Sequence, residues 1–562
     1  MLKETEVHGQ VLDHLGLVAS VIHRLKLVEK IDARLKVSMD KGAKVTMGQR
    51  LAALILNGLG FIDDRLYMFP EFLKNKPIER LLGKGLAAED FNDDALGRFL
   101  DAVSNYGVTP LFSEIALDIG IAEGLLGRSA HFDTTSINVF GEYAEEEASL
   151  QPDVALSERG SPQTEPPFRL AHGHSKDHRP DLKQMVLSLA TTGAAAFPVW
   201  MESHSGNASD KKVLHAGAAK MHDFCKQLKN ATVFLYVGDS AFYERCVKED
   251  APFIWLSRVP ERLNDAKKHL DLLDEQCAWI RLDNGYQYTL LKDATYGAVA
   301  QRWVMIHSEK AAAREHITLK KHIKKESEAY TKALWHLGNQ SFQCKHDAES
   351  AGMDAGKGLK YHTVVWTISP IEKHEKRGRP KKDARLVTQG FSISGTLQEN
   401  TGAIELIKRR KGRFILASNE MNEGALSNAD FLSEYKNQYK TEHGFAFIKG
   451  DTFEVASVFL KKQSRIEALM MVMTLCLMVY SFAQHYLRQA LTEAQETIPN
   501  PLGKPTDKPS MKWVFRMFHG VQVWVIPQSS GVQALVVNLT PVLRKIIRYF
   551  GPGAEGIYAS SG

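Results

Sequence analysis

The sequence has few cysteines, and none of them stands in a spacing typical of a metal site. The five are scattered over 562 residues without a Cys-x-x-Cys pair: Cys225, Cys246, Cys277, Cys344 and Cys476. Disulfide frameworks and structural zinc sites need paired cysteines at short, regular spacings. Their absence excludes a disulfide-rich secreted scaffold and favours a reducing compartment, so we expect a cytoplasmic protein.

Long apolar runs are also missing. The most apolar stretch, residues 468–483, lacks charge but is shorter than the ~20 residues that a membrane span needs. The first eight residues are polar and carry two acids, unlike the basic start and apolar run of a signal peptide. We therefore expect residues 468–483 to form a buried core helix, and we expect no membrane partner.

The overall composition excludes several further classes. With 44% hydrophobic and 24% charged residues, the chain is neither disordered nor fibrous. Its length predicts about three or four domains at roughly 150 residues each. Lys and Arg number 71 against 66 Asp and Glu, a net charge of +5. So small an excess does not identify a nucleic-acid partner, and the local clustering of charge is more informative.

Hydrophobic spacing predicts helical regions at both ends of the chain. Apolar residues recur at helical intervals within residues 1–125, which predicts a helical N-terminal domain. DNA binding and a packing or dimerisation role are equally consistent with this domain. Residues 456–562 are predicted to be a helical C-terminal region that contains a linker at 497–512 and ends in a frayed tail.

The middle of the chain predicts a sheet. Residues 130–140, 184–192 and 196–202 have strand character, and Pro198 in the third indicates an edge position. A helix at 211–228 is followed by two apolar strands, at 232–239 and 253–259. Three strands that can form a meander, followed by helix, strand, helix and strand, predict an α/β fold.

Residues 261–411 are basic and carry three Lys/Arg clusters. Strand-like pieces at 361–368 and 384–394 predict a folded subdomain rather than a linker. Arg377 and Arg379 lie in an Arg-Gly-Arg-Pro segment similar to an AT-hook core, which enters a narrow A·T minor groove. A generic phosphate-contacting loop is the alternative for this segment.

A further basic cluster ends this region. It consists of Lys408, Arg409, Arg410 and Lys411. Such a cluster can contact phosphates, and the affinity would then fall steeply with salt. A solvated run of charge is the alternative.

Two acids stand where a sheet can hold them rigidly. Asp133 lies in the first predicted strand, and Asp239 ends the fourth. Converging carboxylates repel each other unless a cation lies between them, and Mg²⁺ prefers such hard oxygen ligands. Two of these ions can activate water and stabilise a leaving 3′ oxygen. The alternative is that Asp133 and Asp239 are a strand-end cap and a turn residue.

A third acid, Glu442, lies in a segment that we predict to be one helix over residues 435–449. At about 100° per residue, Tyr435, Gln438, Glu442 and Lys449 fall on one stripe about 60° wide. A carboxylate there can complete a metal site beside groups that touch phosphate. A solvated helix face is the alternative, and Gly444 argues against so long a helix.

These blocks resemble the DDE transposases of bacterial insertion sequences, in particular the insertion-sequence-four superfamily. Its C-terminal block reads Tyr-x2-Arg-x3-Glu-x6-Lys, which Tyr435, Glu442 and Lys449 match in spacing. Gln438 replaces the usual Arg and removes one cation near phosphate. Residues 131–135, 175–184 and 238–242 are similar to further blocks of the group, so the resemblance spans about residues 90–490.

The resemblance implies a ribonuclease H-like mixed five-stranded sheet with flanking helices, an inserted basic subdomain, and helical N- and C-terminal regions. The core would run over 126–260 and 412–455 around the insertion at 261–411. It implies that Asp133, Asp239 and Glu442 are the catalytic triad and bind Mg²⁺, with Mn²⁺ as a substitute. Tyr435, Gln438 and Lys449 would contact DNA.

The function implied is that of a DNA transposase. It would bind terminal inverted repeats as a homodimer on double-stranded DNA, cleave the ends by metal-dependent hydrolysis and join the 3′-OH ends to a target. Its location would be the nucleoid of a bacterial cytoplasm. A metal-dependent nuclease without strand transfer and a non-catalytic DNA-binding protein derived from a transposase are the two alternatives.

Overall fold

The computed structural model describes most of the chain, in two compact units. The described residues are 7–36, 44–60, 68–140, 168–228, 232–291, 294–297, 299–374, 385–450, 460, 462–529 and 531–561. The first unit comprises Met1–Leu256 and Glu434–Gly562, and the second comprises Ser257–Ser433. The insertion predicted at 261–411 lies inside the second unit.

The helices in chain order are α1 (Leu15–Arg24), α2 (Leu27–Arg34), α3 (Met47–Leu59), α4 (Phe69–Lys74), α5 (Ile78–Leu82), α6 (Asp93–Tyr106), α7 (Val108–Ala122), α8 (Asp210–Gln227), α9 (Ser240–Lys248), α10 (Asn264–Leu270), α11 (Glu309–Gly338), α12 (Lys345–Ala355), α13 (Thr401–Arg410), α14 (Asp430–Lys436), α15 (Tyr439–Ile448), α16 (Gln463–Glu493), α17 (Met511–Met517), α18 (Pro541–Phe550) and α19 (Pro552–Ile557).

The strands are β1 (His8–Val11), β2 (Ser129–Val139), β3 (Lys183–Thr192), β4 (Phe197–Ser205), β5 (Leu235–Gly238), β6 (Trp255–Arg258), β7 (Ile280–Leu282), β8 (Tyr286–Leu290), β9 (Ala294–Tyr296), β10 (Val299–Ser308), β11 (His362–His374), β12 (Leu386–Glu399), β13 (Arg413–Ser418), β14 (Ile498–Pro499), β15 (Pro505–Thr506), β16 (Gln522–Gln528) and β17 (Gly531–Val537).

The sheet of the first unit has the order β4-β3-β2-β5, with β6 beside β5 where the unit ends. The strands β2, β3 and β4 pair antiparallel as a meander, and β5 runs parallel to β2. The predicted mixed α/β fold with flanking helices is confirmed. Pro198 lies in β4 at the sheet edge, as predicted, and the β3–β4 register shifts beside it.

The predicted core helix at 468–483 is confirmed as part of α16. The helix is long and apolar enough to cross a membrane by length and composition, and 78% of its most apolar 18-residue window is buried in the protein. It packs on α3, α6 and β4 within the first unit. Arg465 anchors its first turn through a two-pronged ion pair with Asp101 of α6, at 2.6 and 2.7 Å.

The N-terminal helices begin at side chains that cap them. Thr46 and Gln49 form a reciprocal capping box at the start of α3. Asn92 accepts a hydrogen bond from the Ala95 N–H and begins α6. Helices over this part of the chain are therefore confirmed.

The C-terminal region is more ordered than the sequence predicts. Residues 497–512 hold the small β14–β15 ladder and the start of α17, so the linker prediction is wrong. The frayed-tail prediction is wrong too, because α19 packs on α1 and the buried Tyr558 hydroxyl donates to the Asp13 carbonyl at 2.6 Å. The β16 strand pairs with β1, near the other end of the chain.

The second unit is folded, with strands in the order β13-β10-β8-β7 and β9 paired to β10. The long hairpin of β11 and β12 packs against α11 and α12. Gly352 permits this close packing, because a Cβ there would lie 2.7 Å from the ring of Trp366. The predicted strand pieces at 361–368 and 384–394 thus belong to one hairpin. Arg377 and Arg379 lie outside the described residues.

Candidate active site

The ladder between β2 and β5 brings two of the predicted acids to adjacent strands. Its parallel register pairs Ser129 with Leu235, and His131 with Val237. Asp133 lies two residues beyond His131 on β2, and Asp239 lies two residues beyond Val237, so both acids follow the same end of this ladder, whose strands lie about 4.8 Å apart. Asp133 is half-buried inside β2, and Asp239 directly follows the last residue of β5.

A cap and a close packing contact fix the position of Asp239. Its Oδ1 accepts hydrogen bonds from the N–H groups of Ala241 and Phe242, at 2.9 and 3.4 Å, and begins α9. A Cβ on Gly238 would lie 2.7 Å from the Phe242 side chain, so only glycine fits before the acid. The capping role that the sequence left as an alternative is therefore present.

Thr441 anchors α15 to the sheet beside Glu442. Its buried hydroxyl is hydrogen-bonded to Thr191 Oγ1 at 2.6 Å and donates to the His131 carbonyl at 3.1 Å. His131 and Asp133 are two residues apart on β2, so their side chains share one face of the sheet. Thr191 is the cross-strand partner of His131 and lies on that face as well. The helix that carries Glu442 therefore covers the face that carries Asp133.

The electrostatics link the three acids. The pKa of Asp133 is raised to about 6, chiefly by burial; the charges of Asp239 and Glu442 act in the same direction, and the Thr134 N–H and Lys176 oppose it. Glu442 is exposed. Within the described ranges, no group of three or more His, Cys, Asp or Glu side chains is close enough to form a metal site. The charges of Asp239 and Glu442 therefore reach Asp133, but the three carboxylates are not close enough together to surround a metal ion as they stand.

The donor chemistry fits a divalent cation. Three carboxylates offer the hard oxygen ligands that Mg²⁺ prefers, and the ion usually retains several waters. The raised pKa of Asp133 shows that its negative charge is unfavourable where it stands. A bound dication would relieve both the burial cost and the repulsion.

The prediction of one helix over 435–449 is wrong. The α14 helix ends at Lys436 and α15 begins at Tyr439, with a tight turn between them. In that turn the Gln438 N–H donates to the Tyr435 carbonyl at 3.1 Å, and the Thr441 N–H donates to the Gln438 carbonyl at 3.0 Å. Such i to i+3 bonds advance about 120° per residue instead of 100°. Tyr435, Gln438, Glu442 and Lys449 therefore do not lie on one face of a single helix, although a helix stands on each side of the turn.

The other residues of the block lie in different surroundings. Gln438 is buried in the turn, and Tyr435 is half-buried at the end of α14. Lys449 is the C-cap of α15, and its Nζ pairs with both carboxylate oxygens of Asp177 at 2.8 Å. A DNA phosphate at Lys449 would therefore have to compete with an internal ion pair.

Lys176 is a residue to which sequence reasoning gave no role. Its Nζ donates to the Thr134 carbonyl at 2.6 Å and to Thr134 Oγ1 at 3.1 Å, and it pairs with Asp210 at 3.3 Å. This fixed cation lowers the pKa of Asp133 and so favours its ionised form. The only signal in the sequence was its place in the 175–184 block.

A buried polar chain joins α14 to β2. Ser129 donates to Glu434 Oε2 at 2.6 Å and is hydrogen-bonded to His131 Nε2 at 2.8 Å. Burial lowers the pKa of His131 to about 3, and the nearby charge of Lys440 acts in the same direction. His131 is therefore neutral at physiological pH. Through Ser129 it is linked to Glu434 of α14.

The basic residues predicted to contact DNA have internal partners in the second unit. Lys408 pairs with Glu405 at 2.7 Å, and Arg409 donates to the Asp271 carbonyl at 2.8 Å. Arg410 makes a two-pronged ion pair with the Asp271 carboxylate at 2.6 and 2.7 Å. These contacts give the cluster a structural role, and its contact with DNA stays a prediction.

Comparisons with known proteins add a match to a family model and distant structural likenesses. Residues 7–117 match a family described as a domain of unknown function (DUF4277). No curated protein matches the chain. A cryo-EM structure of the piggyBac transposase synaptic complex with hairpin DNA aligns at 9% identity and a TM-score of 0.32, over 86% of this chain and 78% of that one. A likeness this low carries no argument, and the resemblance to the insertion-sequence-four superfamily stays a prediction.

Proposed function

We propose that this chain is a DNA transposase that cleaves and joins DNA by metal-dependent phosphoryl transfer. The observation that carries the proposal is the placement of Asp133 in β2, Asp239 directly after the neighbouring β5, and Glu442 on the covering helix α15, with the charges of Asp239 and Glu442 both acting on Asp133. We take the strand order β4-β3-β2-β5-β6 as support for the ribonuclease H-like sheet that the motif resemblance implies.

Asp133, Asp239 and Glu442 would hold the divalent ions. When bound, Mg²⁺ or Mn²⁺ supplies an activated water and stabilises the leaving 3′ oxygen. The protein contributes the positions of the ligands and the local charge. Asp133 is mostly ionised above pH 6, helped by Lys176, and Thr441 fixes the helix that presents Glu442.

Tyr435 and Lys449 would contact the DNA backbone beside the cleaved end. Gln438 is buried, so we assign it to the turn between α14 and α15 rather than to DNA. The protein would act as a homodimer that pairs two transposon ends and joins them to target DNA in the bacterial nucleoid. Phosphoryl transfer of this kind depends mainly on positioning and charge stabilisation, which rigid carboxylates provide.

A cleavage and joining assay tests this proposal. The full chain is incubated with Mg²⁺ or Mn²⁺, a labelled duplex carrying the inverted repeats that flank its reading frame, and a target plasmid. We expect cleavage at the repeat ends followed by joined products. Asp133→Asn, Asp239→Asn and Glu442→Gln should each lower both yields by about 100-fold or more, because even outer-shell changes at metal sites cost 10–100-fold.

Asp250→Asn is the matched control, since it removes an exposed carboxylate at a φ of 45°, a conformation that Asn adopts readily. It should leave both yields unchanged. Cleavage without joining would favour the nuclease alternative. Binding of the repeats with no cleavage by the wild type would favour the non-catalytic DNA-binding alternative.

A further inference from the structure

The longest helix of the second unit presents a row of cations to solvent. We propose that this row binds the phosphate backbone of duplex DNA, which extends the proposed function to a surface outside the carboxylate site. The α11 outer face is formed by Lys310, Arg314, Lys321, Lys324, Lys325 and Lys332, all of them exposed. This inference rests on the proposed function in one respect, which is that the partner is DNA.

The periodicity of α11 places these cations together. Ala312, Leu319 and Leu334 are its buried residues. At about 100° per residue, all six cations of the α11 outer face lie within about 60° of the direction opposite Leu319. From Lys310 to Lys332 the row extends about 33 Å at 1.5 Å per residue, close to one helical turn of B-DNA.

The charges of the α11 outer face are nearly uncompensated inside the protein. Lys324 pairs with Glu328 at 3.7 Å, and that glutamate is the acid on this face. As far as the structure describes the chain, the side chains of Lys310, Arg314, Lys321, Lys325 and Lys332 make no hydrogen bond or ion pair. Lys321 and Lys325 stand four residues apart, as do Lys310 and Arg314, and like charges at this spacing destabilise a helix. A polyanion would remove that repulsion.

Two large apolar side chains lie among these cations. Trp335 is 66% exposed and Ile317 is 57% exposed, and both fall within about 20° of the same outward direction. Exposed aromatic side chains are enriched at contact surfaces relative to the rest of a protein surface. The length of the row and the scarcity of acids on it fit a regular polyanion better than an acidic protein, since duplex DNA carries one charge per ~1.7 Å.

The test measures DNA affinity against salt for a charge-removal variant. The variant carries Lys321→Gln, Lys325→Gln and Lys332→Gln, because glutamine keeps the helix propensity of lysine. The control carries Lys84→Gln, Lys504→Gln and Lys508→Gln, three exposed lysines of the first unit. Full-length proteins are titrated, in EDTA, into a labelled random-sequence duplex of about one to three turns, with fluorescence anisotropy over about 50–200 mM KCl.

We expect the slope of log K against log[KCl] to become shallower by about 2 to 3 in the variant, at about 0.9 per lost phosphate contact. The affinity at low salt should fall at least tenfold, the control should match the wild type, and circular dichroism should be unchanged. Because EDTA removes metal, a defect in the carboxylate site cannot imitate this loss.

An unchanged slope in the variant would overturn the assignment of the α11 outer face and leave the proposed function intact, provided that the wild type binds and cleaves DNA. If the wild type does not bind duplex DNA at any salt concentration, both are overturned. The wild type could instead bind polyglutamate and not DNA, and the variant could lose that binding. This result would make the surface a site for an acidic protein and would overturn the inference.

Discussion

At the scale of single residues, two half-buried acids carry a charge that their surroundings do not fully stabilise. Asp133 has a fixed cation nearby in Lys176, yet its pKa is raised to about 6 because burial and two further acids act against ionisation. Asp133 therefore lowers the free energy of unfolding most above pH 6, where its carboxylate is charged. That is the range in which a divalent ion would bind most favourably.

Glu467 is a second half-buried acid, outside the candidate site. It lies in α16 near Glu202 of β4, which pairs with Lys220 at 2.7 Å and lies 3.8 Å from His204 Nε2. The pKa of Glu467 is raised to about 7, chiefly by burial, and the charge of Glu202 acts in the same direction. The folded protein therefore holds the Glu467 proton more tightly than the unfolded chain, whose pKa is near 4.5.

This difference predicts a pH-dependent gain from Glu467→Gln. Between pH 4.5 and about 7 the wild type loses stability as the pH rises, because the folded state must release a proton that it binds more tightly. The variant lacks this loss, so we expect its urea midpoint to exceed that of the wild type at pH 8 and to match it near pH 4.5.

Glu493→Gln, at the exposed end of the same helix, is the control and should show no pH-dependent difference. An equal gain at both pH values for Glu467→Gln would mean that the effect does not come from the ionisation of Glu467.

At the scale of elements, the sequence predicted the strands of the first unit better than the helices around Glu442. The predicted strand at 130–140 corresponds to Ser129–Val139, because alternation over a long strand is a strong local signal. The turn at 437–438 was missed, because periodicity does not distinguish α-helical steps from tighter ones. The cross-strand and helix–sheet contacts of Thr441 depend on distant residues and leave no local pattern.

Gly444 lets α15 pack closely against α16 and the β3 strand of the sheet. A Cβ there would lie 3.1 Å from Leu477 Cδ2 and 3.4 Å from Leu189 Cδ2. We expect Gly444→Leu to push α15 away from the sheet, destabilise the fold by about 1–3 kcal/mol and reduce cleavage by displacing Glu442. Urea unfolding and the cleavage rate at saturating Mn²⁺ measure the two effects.

Ala446→Leu is the control for this prediction, because Ala446 is exposed on the same helix and has room for the larger side chain. Wild-type stability and cleavage in Gly444→Leu would show that Glu442 does not depend on the packing of α15.

At the scale of the whole molecule, the two ends of the chain form part of one unit. The β1 strand pairs with β16, and α19 packs on α1, between residues about as far apart in sequence as this chain allows. A Cβ on Gly16 would lie 2.6 Å from the Tyr558 ring, which shows how closely the tail fits. The glycines and the proline at 551–553 are typical of a frayed end. The contacts that order the tail join it to residues near the start of the sequence, so no local pattern reveals them.

The order of the tail predicts a stability cost when Tyr558 is truncated. Its buried ring fills the space beside Gly16, and its hydroxyl donates to the Asp13 carbonyl. We expect Tyr558→Ala to destabilise the protein by about 3–5 kcal/mol, as for other buried aromatic side chains. Tyr558→Phe should cost about 1 kcal/mol, because it loses only the hydrogen bond. Chemical denaturation measures both, and wild-type stability in Tyr558→Ala would mean that the tail is frayed after all.

The sequence pointed to the acids of the candidate site, whose catalytic role stays a prediction, but not to the residues that support them. Asp133, Asp239 and Glu442 were identified from strand ends and motif spacing, which are local features of the sequence. Lys176, Thr441 and the Ser129–Glu434 bond act through contacts between distant segments, so the sequence could not show them.

Anomalous diffraction from crystals of the protein soaked in Mn²⁺ with a duplex carrying its repeat ends tests the central claim most directly. We predict a manganese peak coordinated by the Asp133 carboxylate and shared with Asp239 and Glu442. A map with Mn²⁺ bound elsewhere, and with the Glu442 carboxylate turned away from Asp133, would contradict the account.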